Sequence, residues 1–222
     1  IELGQKLGID TPHTIELYDN SNIQGAYAVA GMVVYKDGVP SKKDYRKYQI
    51  KTVEGPDDYA SMKEVIYRRY YRLLMEQKEM ADLIIVDGGL GQIKVAKEVI
   101  DSLNLSVHIC GLSKDDKHST AMLLDEDGNQ VPIDTKSPLF FLLPRMQDEV
   151  HRYAISFHRQ VRSKSLFSSI LDEVDGIGEA RKKKLLNHFK SVKKMKEASL
   201  EELEAVIPKN TALKLYEVLH KE

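Results

Sequence analysis

Two acidic residues stand where a folded chain can use them for chemistry. The apolar run Leu83-Ile84-Ile85-Val86 ends on Asp87, and Gly88, Gly89 and Gly91 follow before a helical pattern resumes at Ile93. A buried strand that delivers a carboxylate to its C-terminal end has this form. In an open α/β sheet ligands bind in the crevice outside such ends, and glycines let a backbone or a phosphate approach closely. The stretch Thr14-Ile15-Glu16-Leu17-Tyr18 ends likewise on Asp19. Farther on, His151, Ile155, His158 and Arg162 recur at helical spacing, so two histidines and an arginine share one helix face. Surplus carboxylates in the larger part of the chain could hold a cation, and two histidines and an arginine on one helix face, following a sheet with two strand-end acids, favour a functional reading. The plainer readings are a capping aspartate in a tight turn and structural histidines. A phosphate cradle for a nucleotide is a third reading, but the spacing is not G-x-G-x-x-G and no Walker lysine follows.

The elements that must position these residues follow from the pattern. Residues 1–12 read as a lead-in ending at Pro12. A strand over Thr14 to Asp19, the turn-rich Asn20 to Gly25, a β-prone run from Tyr27 to Tyr35, the hairpin signal Lys36-Asp37-Gly38 and a strand from Tyr45 to Val53 make a largely antiparallel meander, because parallel neighbours need long crossovers. Gly55-Pro56-Asp57-Asp58 starts a helix whose stripe is Tyr59, Met62, Ile66, Tyr70, Leu73 and Gln77; Arg68, Arg69 and Arg72 fall off that stripe and read as solvated. The strand ending at Asp87, a helix from about Gln92 to Leu103 and a strand from Val107 to Leu112 continue the sheet by crossovers. This is the element order of the ribonuclease H-like fold, an α/β mixed sheet flanked by helices. Acids at the ends of its first and fourth strands lie side by side, and those places fall to Asp19 and Asp87. A polar loop from Ser113 to Ser119, a hairpin over Met122 to Ile133 and a helix from about Pro144 to Arg162 complete the larger part.

The 222 residues, 42% of them hydrophobic, allow one ordinary domain and a small second one. The expected division is residues 1–162, a small-residue hinge at 163–169, and a compact all-α bundle at 170–222. The net charge of −1 conceals 15 Lys+Arg against 10 Asp+Glu from His151 onward and 18 against 24 before it, so the basic end is the one suited to a polyanion. There Val174-Asp175-Gly176-Ile177-Gly178 leads into the basic helix Glu179 to Phe189, a turn that aims backbone amides and a positive helix end at one phosphate. Cys110 is alone, which excludes a disulfide framework and a cysteine zinc cluster and points to a reducing, cytoplasmic setting. No run is long enough to span a membrane, and Ile1-Glu2-Leu3-Gly4 has no signal-peptide character.

Over nearly all its length the chain resembles the C-terminal half of the UvrC family, the endonuclease subunits of bacterial nucleotide excision repair. The resemblance rests on Tyr18 to Gly25, on Tyr45-Arg46-Lys47-Tyr48 with Gly55 to Tyr59, on Ile85 to Gln92, on Lys114 to His118, and on Asp148 to Ile155 followed by His158-Arg159. It implies a ribonuclease H-like nuclease that incises DNA 5′ to a lesion, followed by a tandem helix-hairpin-helix DNA-binding domain. Its catalytic triad falls on Asp19, Asp87 and His151, with a further acidic position at Asp58.

The triad would hold Mg²⁺ or Mn²⁺, the carboxylates offering hard oxygen ligands and the imidazole favouring Mn²⁺. DNA contact is expected from Lys114 and His118 in the polar loop, from His158, Arg159 and Arg162, and from Gly176, Ile177, Gly178 and Lys182 in the first hairpin. The second hairpin departs from the family pattern: Ile207-Pro208-Lys209-Asn210-Thr211 lacks its glycine, so the first should dominate. The family's partner, a UvrB–DNA complex, is bound by a segment that lies outside these residues. The fold alone also permits a junction resolvase, an RNA–DNA hybrid hydrolase or a catalytically silent DNA-binding module.

Overall fold

The structure is a computed structural model, and it describes residues 1–21, 28–53, 55–114 and 121–220. Two compact units result, Ile1–His158 and Arg159–Glu222. The boundary falls inside one helix. No helix is long and apolar enough to cross a membrane among the described residues.

The first unit is built on an eight-stranded sheet: β1 (Thr14–Ser21), β2 (Val29–Lys36), β3 (Val39–Pro40), β4 (Arg46–Gln49), β5 (Leu83–Asp87), β6 (His108–Lys114), β7 (Ala121–Leu124) and β8 (Gln130–Val131). The order is β3-β2-β1-β5-β6-β7-β8, with β4 also on β2. β1 and β2 are antiparallel, whereas β1–β5 and β5–β6 are parallel. The β2–β3 hairpin turns on Asp37 and Gly38 with φ of 50° and 80°, the pair of left-handed residues that a two-residue turn between twisted strands needs.

Four helices belong with this sheet. They are α1 (Glu2–Leu7), α2 (Asp58–Met75), α3 (Leu90–Ser102) and the long α4 (Pro138–Asp172), which continues into the second unit. Asp57 caps α2 by accepting from the Ala60 amide at 2.9 Å, as its sequence predicts. β5 is apolar without alternation because Leu83 through Val86 are all buried, the mark of a strand covered on both faces. Met62, Val65, Ile66, Tyr70 and Leu73 of α2 and Ile93, Ala96, Val99 and Ile100 of α3 join these strands in one core.

The sheet's two faces carry different cargo. Glu16 and Tyr18 point at α2, where the Glu16 carboxylate accepts two N–H bonds from Arg69 and one hydroxyl each from Tyr18 and Tyr70. Asp19, three residues on from Glu16, points at α4. Arg69 is therefore paired and half-buried rather than solvated, because the face it reaches holds an acid that burial would otherwise leave uncompensated.

Several boundaries differ from the sequence expectation: β1 runs past Asp19 to Ser21, and α4 begins at Pro138, with Pro144 inside it. The lead-in contains α1, ended by Gly8 in the left-handed region, and Leu3 is buried by the core. The third long strand is only Arg46–Gln49, since it pairs along one edge with β2. The segment 163–169 is helical, part of α4, because Phe167 and Leu171 stand one turn apart and are both buried in the core of the second unit. That unit continues with α5 (Glu179–Phe189), α6 (Val192–Glu197), α7 (Leu200–Glu204) and α8 (Lys209–Leu219) around Leu171, Leu185, Met195, Leu203 and Leu215.

Candidate active site

The site is assembled by a helix that crosses strands. A helical turn advances about 5.4 Å and neighbouring strands lie about 4.8 Å apart, so successive turns of a crossing helix meet successive strands. Ala154 of α4 lies against Gly31 of β2, His151 meets Asp19 of β1, and Gln147 meets Asp87 of β5 and the Leu112 carbonyl of β6. Gly31 is the register partner of Asp19. A Cβ there would stand 3.0 Å from the Ala154 backbone nitrogen, so the missing side chain is what lets α4 close on the sheet at the level of the acids.

Asp19, two residues before the end of β1, and Asp87, the last residue of β5, lie on parallel neighbouring strands whose register pairs Tyr18 with Val86. One ligand atom from each of Asp19, Asp87 and His151 lies within 4.8 Å of the others. Asp19 is 6% exposed, and its Oδ2 lies 2.9 Å from His151 Nδ1. The His151 side chain is 56% exposed, so the ring bridges the buried acid and the outside. Asp87 Oδ1 accepts a 2.7 Å hydrogen bond from Gln147 Nε2.

The electrostatics are those of a site short of positive charge. Burial, and then the neighbouring Asp87 carboxylate, push the Asp19 carboxyl up to about 7 while the hydrogen bond and charge of His151 pull it down. Burial also raises the Asp87 carboxyl, against the Gln147 hydrogen bond and the charges of His151 and Lys114. Two carboxylates and an imidazole at this separation form an oxygen-rich donor set that could hold a divalent metal ion, whose charge would replace the proton that burial forces onto the pair.

The other predicted residues fall in several places. Asp58 opens α2, where its backbone carbonyl accepts from Asn20 Nδ2 at 2.9 Å; its exposed side chain is outside the three-residue cluster. Lys114 ends β6, two residues past Leu112, the partner of Asp87. His118 lies outside the described residues, as do most of the turn after Asn20 and the rest of the polar loop.

His158 is 4% exposed, so in this structure its ring is enclosed by protein instead of facing an open surface. Arg159 and Arg162 are exposed, both in the second unit. There Gly176 has φ 92°, Ile177 is buried and Gly178 caps α5. Lys182 is bound by Asp172 and Glu179, so its charge is already answered within the bundle. Gln147 was not foreseen; its one sequence signal is its place four residues before His151.

Comparison with known proteins gives two family matches. The sequence model of the UvrC RNase H endonuclease domain matches residues 4–155, and that of the SAM-like helix-hairpin-helix tandem matches residues 168–221. Among solved structures, Ciona intestinalis endonuclease V in complex with a 24mer DNA containing an inosine followed by a ribo-adenosine is 14% identical, with a TM-score of 0.36 over 47% of this chain and 47% of that one. The catalytic domain of human endonuclease V is 14% identical, with a TM-score of 0.33 over 55% of this chain and 61% of that one. The C-terminal lobe of a budding yeast Argonaute is 11% identical, with a TM-score of 0.31 over 60% of this chain and 32% of that one. The chain thus spans less than two thirds of each of these proteins.

Proposed function

The chain belongs to the family of UvrC RNase H endonuclease domains, a nuclease family, and carries a tandem helix-hairpin-helix segment behind that domain; on this premise we propose that it is a divalent-metal-dependent DNA endonuclease that makes the incision 5′ to a lesion in bacterial nucleotide excision repair. In this reading it acts in the cytoplasm on a UvrB–DNA complex. The observation that carries the reading is the convergence of Asp19, Asp87 and His151 within 4.8 Å.

Phosphodiester hydrolysis needs an activated water, relief of charge on the phosphoryl oxygens and a proton for the leaving 3′ oxygen. A divalent ion such as Mg²⁺ or Mn²⁺ held at the triad would supply the first two. Asp19 and Asp87 would hold it through carboxylate oxygens, with the Asp87 carboxylate oriented by the hydrogen bond from Gln147. His151 shares a hydrogen at Nδ1 with Asp19 Oδ2, and its half-open ring can carry a proton outward to the leaving oxygen. Lys114 adds positive charge beside Asp87.

DNA affinity comes from phosphate contacts in the second unit. The hairpin Gly176 to Gly178 presents the start of α5, and the exposed Lys183, Lys184, Arg159 and Arg162 add charge without base readout. Lys182, tied to two acids, serves the hairpin's shape more than its charge.

The test is nicking of an end-labelled bubble duplex with Mn²⁺ or Mg²⁺, beside Asp87→Asn. Metal-dependent nicks that vanish in the variant are expected. Cleavage of an RNA–DNA hybrid in preference to the bubble would replace this reading with a hybrid hydrolase. Tight DNA binding without nicks, even with the partner complex loaded, would replace it with a silent binding module.

A further inference from the structure

Asp87 is the exposed-side member of the acid pair, yet it is not free to turn. Gln147, 4% exposed on α4, donates from Nε2 to Asp87 Oδ1 at 2.7 Å, and the same nitrogen lies 3.4 Å from the Leu112 carbonyl oxygen. That carbonyl also accepts from the Gly88 amide at 2.8 Å, which fastens the backbone just past Asp87 to β6. A single carboxamide therefore meets both the side chain of the acid and the strand edge that holds the acid's backbone.

The position is set by the fold. Gln147 and His151 are one turn apart on α4, one facing the β5–β6 pair and the other facing β1. Neighbouring Met146 and Val150 are fully buried and anchor that stretch of helix in the core. The Gln147 donor is thus fixed from the helix side as firmly as the acceptor is fixed from the sheet side.

From this geometry we infer that Gln147 is a positioning residue for the metal centre: it occupies Oδ1 of Asp87 and holds the carboxylate in place beside Asp19 and His151. The inference rests on the reading of the triad as a cation site. A carboxylate so held would lose less rotational freedom on binding an ion than a free one. Partners that orient a ligand in this way are worth about 10- to 100-fold in metal affinity. A donor without charge is also the choice that suits the site, since a cationic donor at this place would oppose the incoming ion and a carboxylate would add a third negative group beside two acids already raised by burial.

The experiment is calorimetric titration of the whole chain with Mn²⁺ alone, at fixed pH and salt, for the native protein, Gln147→Leu, Gln147→Met and Val150→Ala. Leucine and methionine fill the site without donating, and two shapes guard against one of them failing to fold. Val150→Ala loosens the same helix while leaving the donor in place. Both Gln147 variants should bind Mn²⁺ about 10- to 100-fold more weakly than the native chain, with thermal melting of the metal-free proteins close to native. Val150→Ala should melt earlier and bind Mn²⁺ as the native chain does. Native binding with either folded Gln147 variant within about twofold of it would overturn the inference and leave the cation site standing. Weakening in Val150→Ala equal to that in the Gln147 variants would overturn it in favour of general helix placement. Absence of Mn²⁺ binding by the native chain would overturn the cation site itself and the inference with it.

Discussion

His151 Nδ1 lies 2.9 Å from Asp19 Oδ2 although 132 residues separate the two in the chain. The contact joins an inner strand of the sheet, β1, to a helix that follows the last strand in the chain. Its geometry depends on a third residue, Gly31, which is paired with Asp19 across β1–β2 and touches Ala154 less than one turn beyond His151. The site is therefore a product of how closely a helix can approach a sheet, and the acid pair and the imidazole respond to the same structural variable.

That dependence is testable at Gly31. A valine there would drive its Cβ to 3.0 Å from the Ala154 nitrogen and 3.1 Å from its Cα, atoms that cannot move without the helix. Gly31→Val should cost roughly 1–3 kcal/mol in urea unfolding, and Mn²⁺ affinity should fall with it because His151 is displaced. Adding Ala154→Gly should restore both only in part, since two of the three closest atoms, N at 3.0 Å and Cα at 3.1 Å, are backbone and only Cβ at 3.1 Å is removed. Full rescue by the glycine would show that the helix is held off by the methyl group alone.

The raised Asp19 carboxyl makes the stability of the metal-free protein depend on pH in an unusual direction. Its folded value of about 7 stands above the ordinary 3.8, so folding favours the proton-bound form. The stabilisation is complete below about pH 4 and is lost as the pH rises through about 7, to a total of at most about 4 kcal/mol. Thermal melts of chelator-treated protein should therefore fall from about pH 5 to about pH 8. Mn²⁺ should restore the melt at the upper end, and Asp19→Asn, which carries no charge to bury, should flatten the profile. A melt that climbs over this range would contradict the assignment.

Much of this site was legible in the sequence, for reasons particular to each residue. Asp87 announced itself because four apolar residues precede it and glycines follow, and Asp19 because strand order places it beside Asp87. Gln147 did not, since its partners lie 60 and 35 residues away and nothing in a single polar side chain on a helix names them. Alternation put Glu16 opposite Ile15 and Leu17 but could not say that α2 would cover that face; the nearest clue was an arginine off the apolar stripe of α2, Arg69. The serine-rich stretch 163–169 read as a hinge because composition outweighed the one-turn spacing of Phe167 and Leu171, which the folded bundle uses. Local pattern reports what a segment is, and the contacts that decide these cases are between segments.

The DNA-binding unit offers a prediction independent of the triad. Gly176 has φ 92°, a backbone state that costs a side chain about 1–3 kcal/mol, and an added Cβ would sit 3.4 Å from Thr211 Oγ1. Gly176→Ala should reshape the hairpin and weaken duplex binding in fluorescence anisotropy, while Mn²⁺ titration of the first unit stays native. The remaining affinity should still fall linearly in log K against log salt, because the exposed Lys183 and Lys184, proposed above to meet phosphates, are intact. Unchanged DNA affinity in the variant would move the contact surface away from this turn.

The last prediction concerns the buried charge on the face opposite the triad. Glu16 is 1% exposed and both its oxygens are fully used: Oε1 accepts from Arg69 Nε at 3.0 Å and Nη2 at 2.7 Å, Oε2 from Tyr18 at 2.6 Å and Tyr70 at 3.0 Å. Burial and the carboxylate push both tyrosine hydroxyls well above their ordinary range, so they remain donors at any working pH. Removing the negative charge alone leaves the guanidinium half-buried and unanswered, which costs about 3–5 kcal/mol in comparable pairs, whereas replacing both partners by apolar groups is often close to neutral. Glu16→Gln should therefore lower unfolding free energy by that amount, and Glu16→Leu combined with Arg69→Leu should be markedly more stable than Glu16→Gln despite the larger change. Chemical denaturation of the two variants and of Arg69→Leu alone decides it. Equal losses in the single and double variants would mean that the tyrosine hydrogen bonds, and not the ion pair, are what the network contributes.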